Sequence, residues 1–143
     1  MKKLTLLVCT LLFSISSFAS DIGISKQLIR ATPPHAKNSA AFLTITNNTD
    51  KSVNLIAVSS DIAEQVQIHT NINEDGMMKM RQVEAIMIEA NSSTSLQPGG
   101  YHVMFLGLKS DLAEGQSVDL TLYFDNGEQI KVKTPVQKIT VSH

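Results

Sequence analysis

The strongest constraint on the fold is a pair of alternating segments joined by a tight turn. Residues 117–124 carry apolar side chains at every second position, namely Val118, Leu120, Leu122 and Phe124. A period of two is typical of a β-strand with one buried face. Asp125-Asn126-Gly127 follows as a favoured hairpin turn, and residues 128–136 return with Lys131 and Lys133 outward. The sequence therefore predicts a β-hairpin with an apolar inner face.

Similar short apolar segments, separated by turn-forming residues, run along most of the remaining chain. Gln97-Pro98-Gly99-Gly100, for example, suits a type II turn, with proline second and glycine third. We count seven to nine short strands and no convincing helix, and residues 91–95 are predicted to be a polar loop. A chain of 143 residues with this pattern is predicted to form one all-β domain, an antiparallel β-sandwich.

The first residues have the pattern of an export signal. Lys2 and Lys3 precede an apolar run over residues 4–15, and Ser17-Phe18-Ala19 offers the small residues that a signal peptidase recognises. We predict a signal peptide at residues 1–19, cleaved after Ala19, and a sandwich domain at residues 20–143. The apolar run is too short to span a membrane, so we expect an exported protein without membrane insertion.

Cys9, the only cysteine, lies inside the predicted signal peptide. Val8 precedes it where a lipid-anchoring motif needs a small residue, so we do not expect Cys9 to be lipidated. Removal of the signal leaves no thiol for blue-copper, zinc-thiolate or thiol-catalytic chemistry. It also leaves 10 basic and 13 acidic residues without a basic block, so a nucleic-acid partner is not expected.

Four potential metal ligands have a distinctive spacing. Ten residues separate His69 from Met80, twenty-one separate Met80 from His102, and one separates His102 from Met104. Thioethers are soft ligands that select Cu(I), and imidazole also suits copper. Because all four ligands bind as neutral groups, the set favours Cu(I) over Cu(II).

Strand pairing suggests how distant residues could meet. If residues 73–76 form a hairpin loop, pairing runs outward from Ile72 and Met77, and His69 lies directly opposite Met80. His102 and Met104 share one face of their strand by the two-residue period. We therefore predict that the four side chains converge at one end of the sandwich.

The other histidines and methionines have simpler interpretations. Met77, Met78 and Met87 are predicted to pack in the core or beside the site, with Met78 in phase with Met80. His35 follows two prolines and is predicted to be a solvated loop residue rather than a ligand. His143 is terminal and is predicted to be disordered.

The four-residue pattern resembles the PCuAC family of periplasmic copper chaperones, whose motif is H-x10-M-x21-H-x-M. His69, Met80, His102 and Met104 match it, and residues 31–34, 75–81 and 96–109 also look like the family. The resemblance implies a cupredoxin-like sandwich with Greek key topology, binding one Cu(I) at an exposed site. It further implies delivery to the binuclear copper site of cytochrome c oxidase, together with a thioredoxin-like assembly factor.

The favoured interpretation is thus a monomeric periplasmic copper carrier and not an enzyme. Copper storage or tolerance is a close alternative. A second alternative is a metal-independent protein-binding sandwich in which the His/Met set is incidental. A metal-dependent enzyme is a third, although the sequence offers no nearby Asp or Glu at helical spacing to act as a base.

Overall fold

The structure is a computed structural model that describes residues 21–140. The predicted signal peptide with its cleavage point after Ala19, Cys9 and the terminal His143 lie outside the described residues. Between residues 21 and 140, no helix has the length and apolar character needed to cross a membrane.

Ten strands form the described part of the chain. They are β1 (Ile22–Arg30), β2 (Asn38–Asn47), β3 (Val53–Ser59), β4 (Ala63–Glu74), β5 (Met77–Gln82), β6 (Ile86–Ile88), β7 (Ser92–Leu96), β8 (His102–Leu108), β9 (Ser117–Phe124) and β10 (Gln129–Gln137). One side of the sandwich has the order β5-β4-β8-β2-β1, and β7 also pairs with β2. The other has the order β10-β9-β3-β6. The predicted all-β sandwich is confirmed.

Strand β10 connects the two sides and adds the one departure from a purely antiparallel arrangement seen within residues 21–140. Its ladder with β9 ends at Pro135, and Val136 and Gln137 then pair in parallel with Ile29 and Arg30 of β1. Proline has no N–H to donate, so the end of one ladder at this residue is physically reasonable.

The core lies between the two sides and takes every second residue from each. Ile68, Val103 and Phe105 come from the β4–β8 side, while Leu120 and Leu122 come from β9. All five are at most 4% exposed. The alternation predicted for residues 117–124 is confirmed, with Val118 partly buried at the margin of the core.

Strand β7 was not expected, because residues 91–95 were predicted to be a polar loop. Residues 92–96 instead pair with residues 43–47 of β2. Hydroxyl pairs line its outer face: Thr44 with Ser95 at 3.0 Å and Thr46 with Ser93 at 2.8 Å. Cross-strand hydroxyl contacts stabilise this strand, whose sequence lacks the apolar alternation that predicts strands.

The register predicted for the β4–β5 hairpin is wrong by two residues. The turn contains only Asp75 and Gly76, both with positive φ (54° and 80°), as a type I′ turn requires. Pairing therefore starts at Glu74 and Met77, Asn71 lies opposite Met80, and His69 lies opposite Gln82 rather than Met80. The loop was predicted to be too long because Asn73 and Glu74 are polar, yet both belong to the strand.

Candidate metal centre

His69 is the central residue of the candidate site. It lies on β4 directly opposite His102 of β8, and the centroids of the two rings are 5.7 Å apart. Their neighbours Ile68 and Val103 are paired in the same ladder and point into the core. Because side chains alternate along a strand, both imidazoles project from the opposite face of the sheet.

The two methionines flank His69 on opposite diagonals. Met104 is level with Gln67 on β8, and Met80 is level with Asn71 on β5. Diagonal neighbours in antiparallel sheets are about 7–8 Å apart, within reach of long side chains. The structure thus brings the two histidines into contact and sets one thioether beyond them at each end, all on one face.

Exposure increases outward from His102. Its side chain is 3% exposed and lies near Phe42, with ring centroids 6.4 Å apart. His69 is partly buried, whereas Met80 is 57% exposed. Met80 and His102 also line a pocket of about 150 Å³ together with Phe42 and Arg30. A small molecule or an incoming side chain can therefore approach from the Met80 side.

The hydrogen bonding of His102 leaves one ring nitrogen without a partner. Its Nδ1 donates to the carbonyl oxygen of Gly100 at 3.0 Å, so that nitrogen carries the proton. Nε2 of the neutral ring then has a free lone pair. It is buried and has no hydrogen-bond partner among the described residues. An orphaned buried nitrogen of this kind is a candidate metal ligand.

His69 has the complementary arrangement. The amide nitrogen of Gln67 donates to Oε1 of Gln65 at 3.3 Å, which turns Oε1 of Gln67 towards His69. Nε2 of His69 therefore donates to that oxygen, at 2.8 Å. Its Nδ1 is left buried and unpartnered among residues 21–140. One lone pair on each ring is thus available to a metal.

Both burial and the neighbouring His102 imidazole lower the pKa of His69. Burial is the larger of the two causes, because removing water penalises the charged imidazolium. A neutral His69 is the form that binds metal, so these effects keep the ring ready to bind.

Some predictions for the remaining residues are wrong. Met77, Met78 and Met87 are 64%, 63% and 59% exposed, so the prediction of core packing is wrong for all three. Met78 does lie on the same strand face as Met80, as its phase predicted. His35 lies exposed in the loop after β1, as predicted, and that it is not a ligand stays a prediction. Sequence reasoning missed the role of Gln67, although its position two residues before His69 on the same strand face was a usable signal.

The described part of the chain contains no group of three His, Cys, Asp or Glu side chains positioned to hold a metal ion. On the diagonals of His69, the potential co-ligands are the thioethers of Met80 and Met104 rather than carboxylates. This donor chemistry fits a soft monovalent ion better than Ca²⁺, Mg²⁺ or a typical zinc site.

Sequence comparisons identify the family. Residues 22–136 match the family model described as "Putative lipoprotein LpqE-like". The protein "Putative lipoprotein Lxx21020" of Leifsonia xyli is 30% identical over 120 residues, covering 83% of this chain and 71% of that protein. RP573 of Rickettsia prowazekii is 35% identical over 100 residues, covering 69% of this chain. This match spans only 55% of RP573. The lipoprotein descriptions indicate an exported protein.

Solved structures identify the fold. The copper-bound PCuAC domain from PmoF2 has a TM-score of 0.71 at 22% identity, with 84% of this chain and 95% of that domain covered. The Cu(I) form of DR1885 from Deinococcus radiodurans has a TM-score of 0.64 at 30% identity, with 82% and 76% covered. The resemblance to PCuAC domains is therefore confirmed. The chain belongs to the LpqE-like family and has the fold of a PCuAC domain.

Proposed function

We propose that this protein binds one Cu(I) through His69, His102, Met80 and Met104 and carries it to a recipient protein. The observation that supports this most directly is the pair of buried imidazole nitrogens without partners, Nδ1 of His69 and Nε2 of His102. The copper-bound state of PmoF2 and the Cu(I) state of DR1885, both with this fold, add support.

The donor set explains the preference for the reduced ion. Both ring nitrogens are free of protons in the observed hydrogen-bond arrangement, and thioethers carry none. Cu(I) can bind without displacing a proton, and no anionic ligand is present in the set to favour Cu(II). Copper here is cargo rather than a resident cofactor.

Ligand exposure suits transfer better than permanent storage. Met80 is more than half exposed, whereas His102 is almost fully buried. An incoming ligand can replace Met80 while the imidazoles still hold the ion, so copper never has to be free in solution. We therefore favour a monomeric carrier over a storage protein, a metal-independent binding protein or an enzyme.

The proposed place of action is the periplasm, after cleavage of the signal peptide following Ala19. The proposed recipient is the copper-site subunit of cytochrome c oxidase, with a thioredoxin-like assembly factor acting in the same process. A deletion strain should lose oxidase activity and regain it with added copper. Copper sensitivity with normal oxidase would favour storage or tolerance instead.

The ligand set is tested by X-ray absorption of the processed protein loaded anaerobically with one equivalent of Cu(I). We expect two nitrogen and two sulphur scatterers. A spectrum without sulphur, or no binding in competition with a Cu(I) chelator, would overturn the proposal.

A further inference from the structure

Strand β5 exposes an unusual amount of soft sulphur. All six of its side chains are exposed, and three of them are methionines. Met77 and Met78 are 64% and 63% exposed, slightly more than Met80 at 57%. Methionine is normally found filling gaps in cores, so packing does not account for these three positions.

The two faces of β5 differ in chemistry. Met77 lies on the face of Lys79 and Arg81, which both form ion pairs with Glu74, at 3.2 and 2.9 Å. Met78 lies on the other face with Met80, opposite Asn73 of β4. That face is the one that carries His69, and its paired residues near the turn are uncharged.

Met78 therefore extends the candidate site outward. Two residues along a strand cover about 6.6–6.8 Å, and each methionine side chain has three flexible torsions. The two sulphur atoms can close on one ion from neighbouring positions on the same face. From the turn inward, the order is Met78, Met80 and then the histidine pair, with exposure decreasing at the histidines.

We propose that Met78 and Met80 form an outer, two-thioether docking position for Cu(I), through which the ion enters and leaves the inner site. This inference rests on the proposed function and adds a fifth ligand, Met78, that acts only in transit. Two soft neutral donors suffice for transient binding of Cu(I), which accepts low coordination numbers.

The inward step is a ligand exchange without redox chemistry. Copper remains Cu(I) throughout; its bond to the Met78 sulphur breaks as a bond to Nδ1 of His69 forms, while Met80 stays bound. No proton is released, because Nδ1 carries none when Nε2 donates to Gln67. The outward step is the reverse.

The test compares Met78→Leu with Met77→Leu in the processed protein. Both replacements conserve size, and the two positions are almost equally exposed on opposite faces of one strand. Transfer of Cu(I) from a chromophoric chelator is followed by anaerobic stopped-flow absorbance, and equilibrium affinity is measured with the same chelator. We expect Met78→Leu to slow transfer about fivefold or more in both directions, because one exchange intermediate is lost, while affinity changes less than about twofold. Met77→Leu should match the wild type in both measurements.

A second measurement uses Ag(I) as a redox-inert probe. Methyl resonances of Met78 should broaden or shift below one equivalent of Ag(I), as the ion exchanges through the outer position, while those of Met77 stay unchanged. Equal rates for wild type and Met78→Leu, or equal slowing by Met77→Leu, would overturn the outer position alone. Failure of the wild type to bind Cu(I) would overturn the proposed function as well.

Discussion

Two hairpins of this protein use similar sequence patterns for different purposes. The β9–β10 hairpin directs Leu120, Leu122 and Phe124 into the core, where each is at most 2% exposed. The β4–β5 hairpin also alternates, yet all of β5 is exposed and its methionines face solvent. Both turns contain a glycine with positive φ, Gly76 and Gly127, so a left-handed glycine alone does not distinguish the two hairpins.

The difference lies in what covers each hairpin. Strand β9 is flanked by β10 and β3, whereas β5 lies at the edge of its sheet and pairs only with β4 in the described order. The apolar alternation of β9 therefore stabilises the fold, while the soft donors of β5 remain available to a ligand. Substitutions in the two hairpins should separate stability from copper binding.

The largest effect is expected for Leu120→Ala in β9. Its side chain is fully buried, and deleting such a leucine costs about 2–5 kcal/mol through lost burial and the cavity left behind. Urea unfolding followed by circular dichroism measures this change. Ile72→Ala in the β4–β5 hairpin is the control, and we expect it to cost less than about 1 kcal/mol because Ile72 is partly exposed. Equal losses of unfolding free energy in the two variants would contradict the proposed difference between the hairpins.

Met80→Leu in β5 should weaken copper binding and leave the stability of the fold almost unchanged. We expect Cu(I) affinity to fall about 10- to 100-fold, or about 1.4–2.7 kcal/mol, because one proposed ligand is lost. The free energy of unfolding should stay within about 0.5 kcal/mol, since the side chain is exposed. Met87→Leu on β6 is the matched control at similar exposure and should leave affinity unchanged. Unchanged affinity for Met80→Leu in anaerobic chelator competition would contradict the ligand assignment.

Gln67→Leu should have a smaller effect on copper. It removes the acceptor that holds the proton of His69 on Nε2, and the loss of such a supporting contact typically weakens metal binding about tenfold. Nitrogen-15 NMR of the metal-free protein should then show mixed tautomers at His69. Gln65→Leu, which removes only the contact that orients Gln67, should give a smaller change of the same kind. A single unchanged tautomer in Gln67→Leu would show that Gln67 does not fix the ring.

The smallest effect concerns Asp125 in the β9–β10 turn. Hydrogen bonds from the side chain and backbone N–H of Asn54, at 2.8 and 2.9 Å, lower the pKa of this exposed carboxyl. At pH values above the unfolded pKa near 3.8, the lowered pKa of Asp125 stabilises the folded state. This stabilisation is lost as the pH falls through the pKa of the folded state. Because solvent screens this exposed carboxyl, Asp125→Asn should destabilise the protein by at most about 0.5 kcal/mol at pH 7, and by less at pH 3. A larger deficit at pH 3 in urea unfolding would contradict this sign.

Sequence reasoning predicted what depends on strong local patterns. The β9–β10 hairpin follows from alternation and an Asp-Asn-Gly turn, both of which act over a few residues. Strand β7 was not predicted because hydroxyl contacts from Thr44 and Thr46 of β2, rather than buried apolar side chains, stabilise its outer face. The β4–β5 register depended on where a polar strand ends and its turn begins, which composition alone does not define.

Some features of the candidate site were predictable from the sequence and others were not. Chain spacing and residue type were enough to nominate four donors and to infer a shared face for His102 and Met104. The hydrogen bonds that select one nitrogen on each ring involve Gln67 and the carbonyl of Gly100, neither of which carries a metal-binding signature. The exposure of Met78 depends on β5 being an edge strand, which is a property of the whole topology.

The two-residue turn at Asp75-Gly76 imposes a rule of parity on this hairpin. While that turn is kept, only an even number of residues between His69 and Met80 leaves both on one surface; ten satisfies the condition. One residue inserted into either arm would invert Met80, although composition would barely change. Two inserted residues, one in each arm between the turn and the site, would lengthen the hairpin and preserve the pairing. The alternation of side chains along the strands, as much as the chemistry of the donors, thus limits how the spacing between His69 and Met80 can vary.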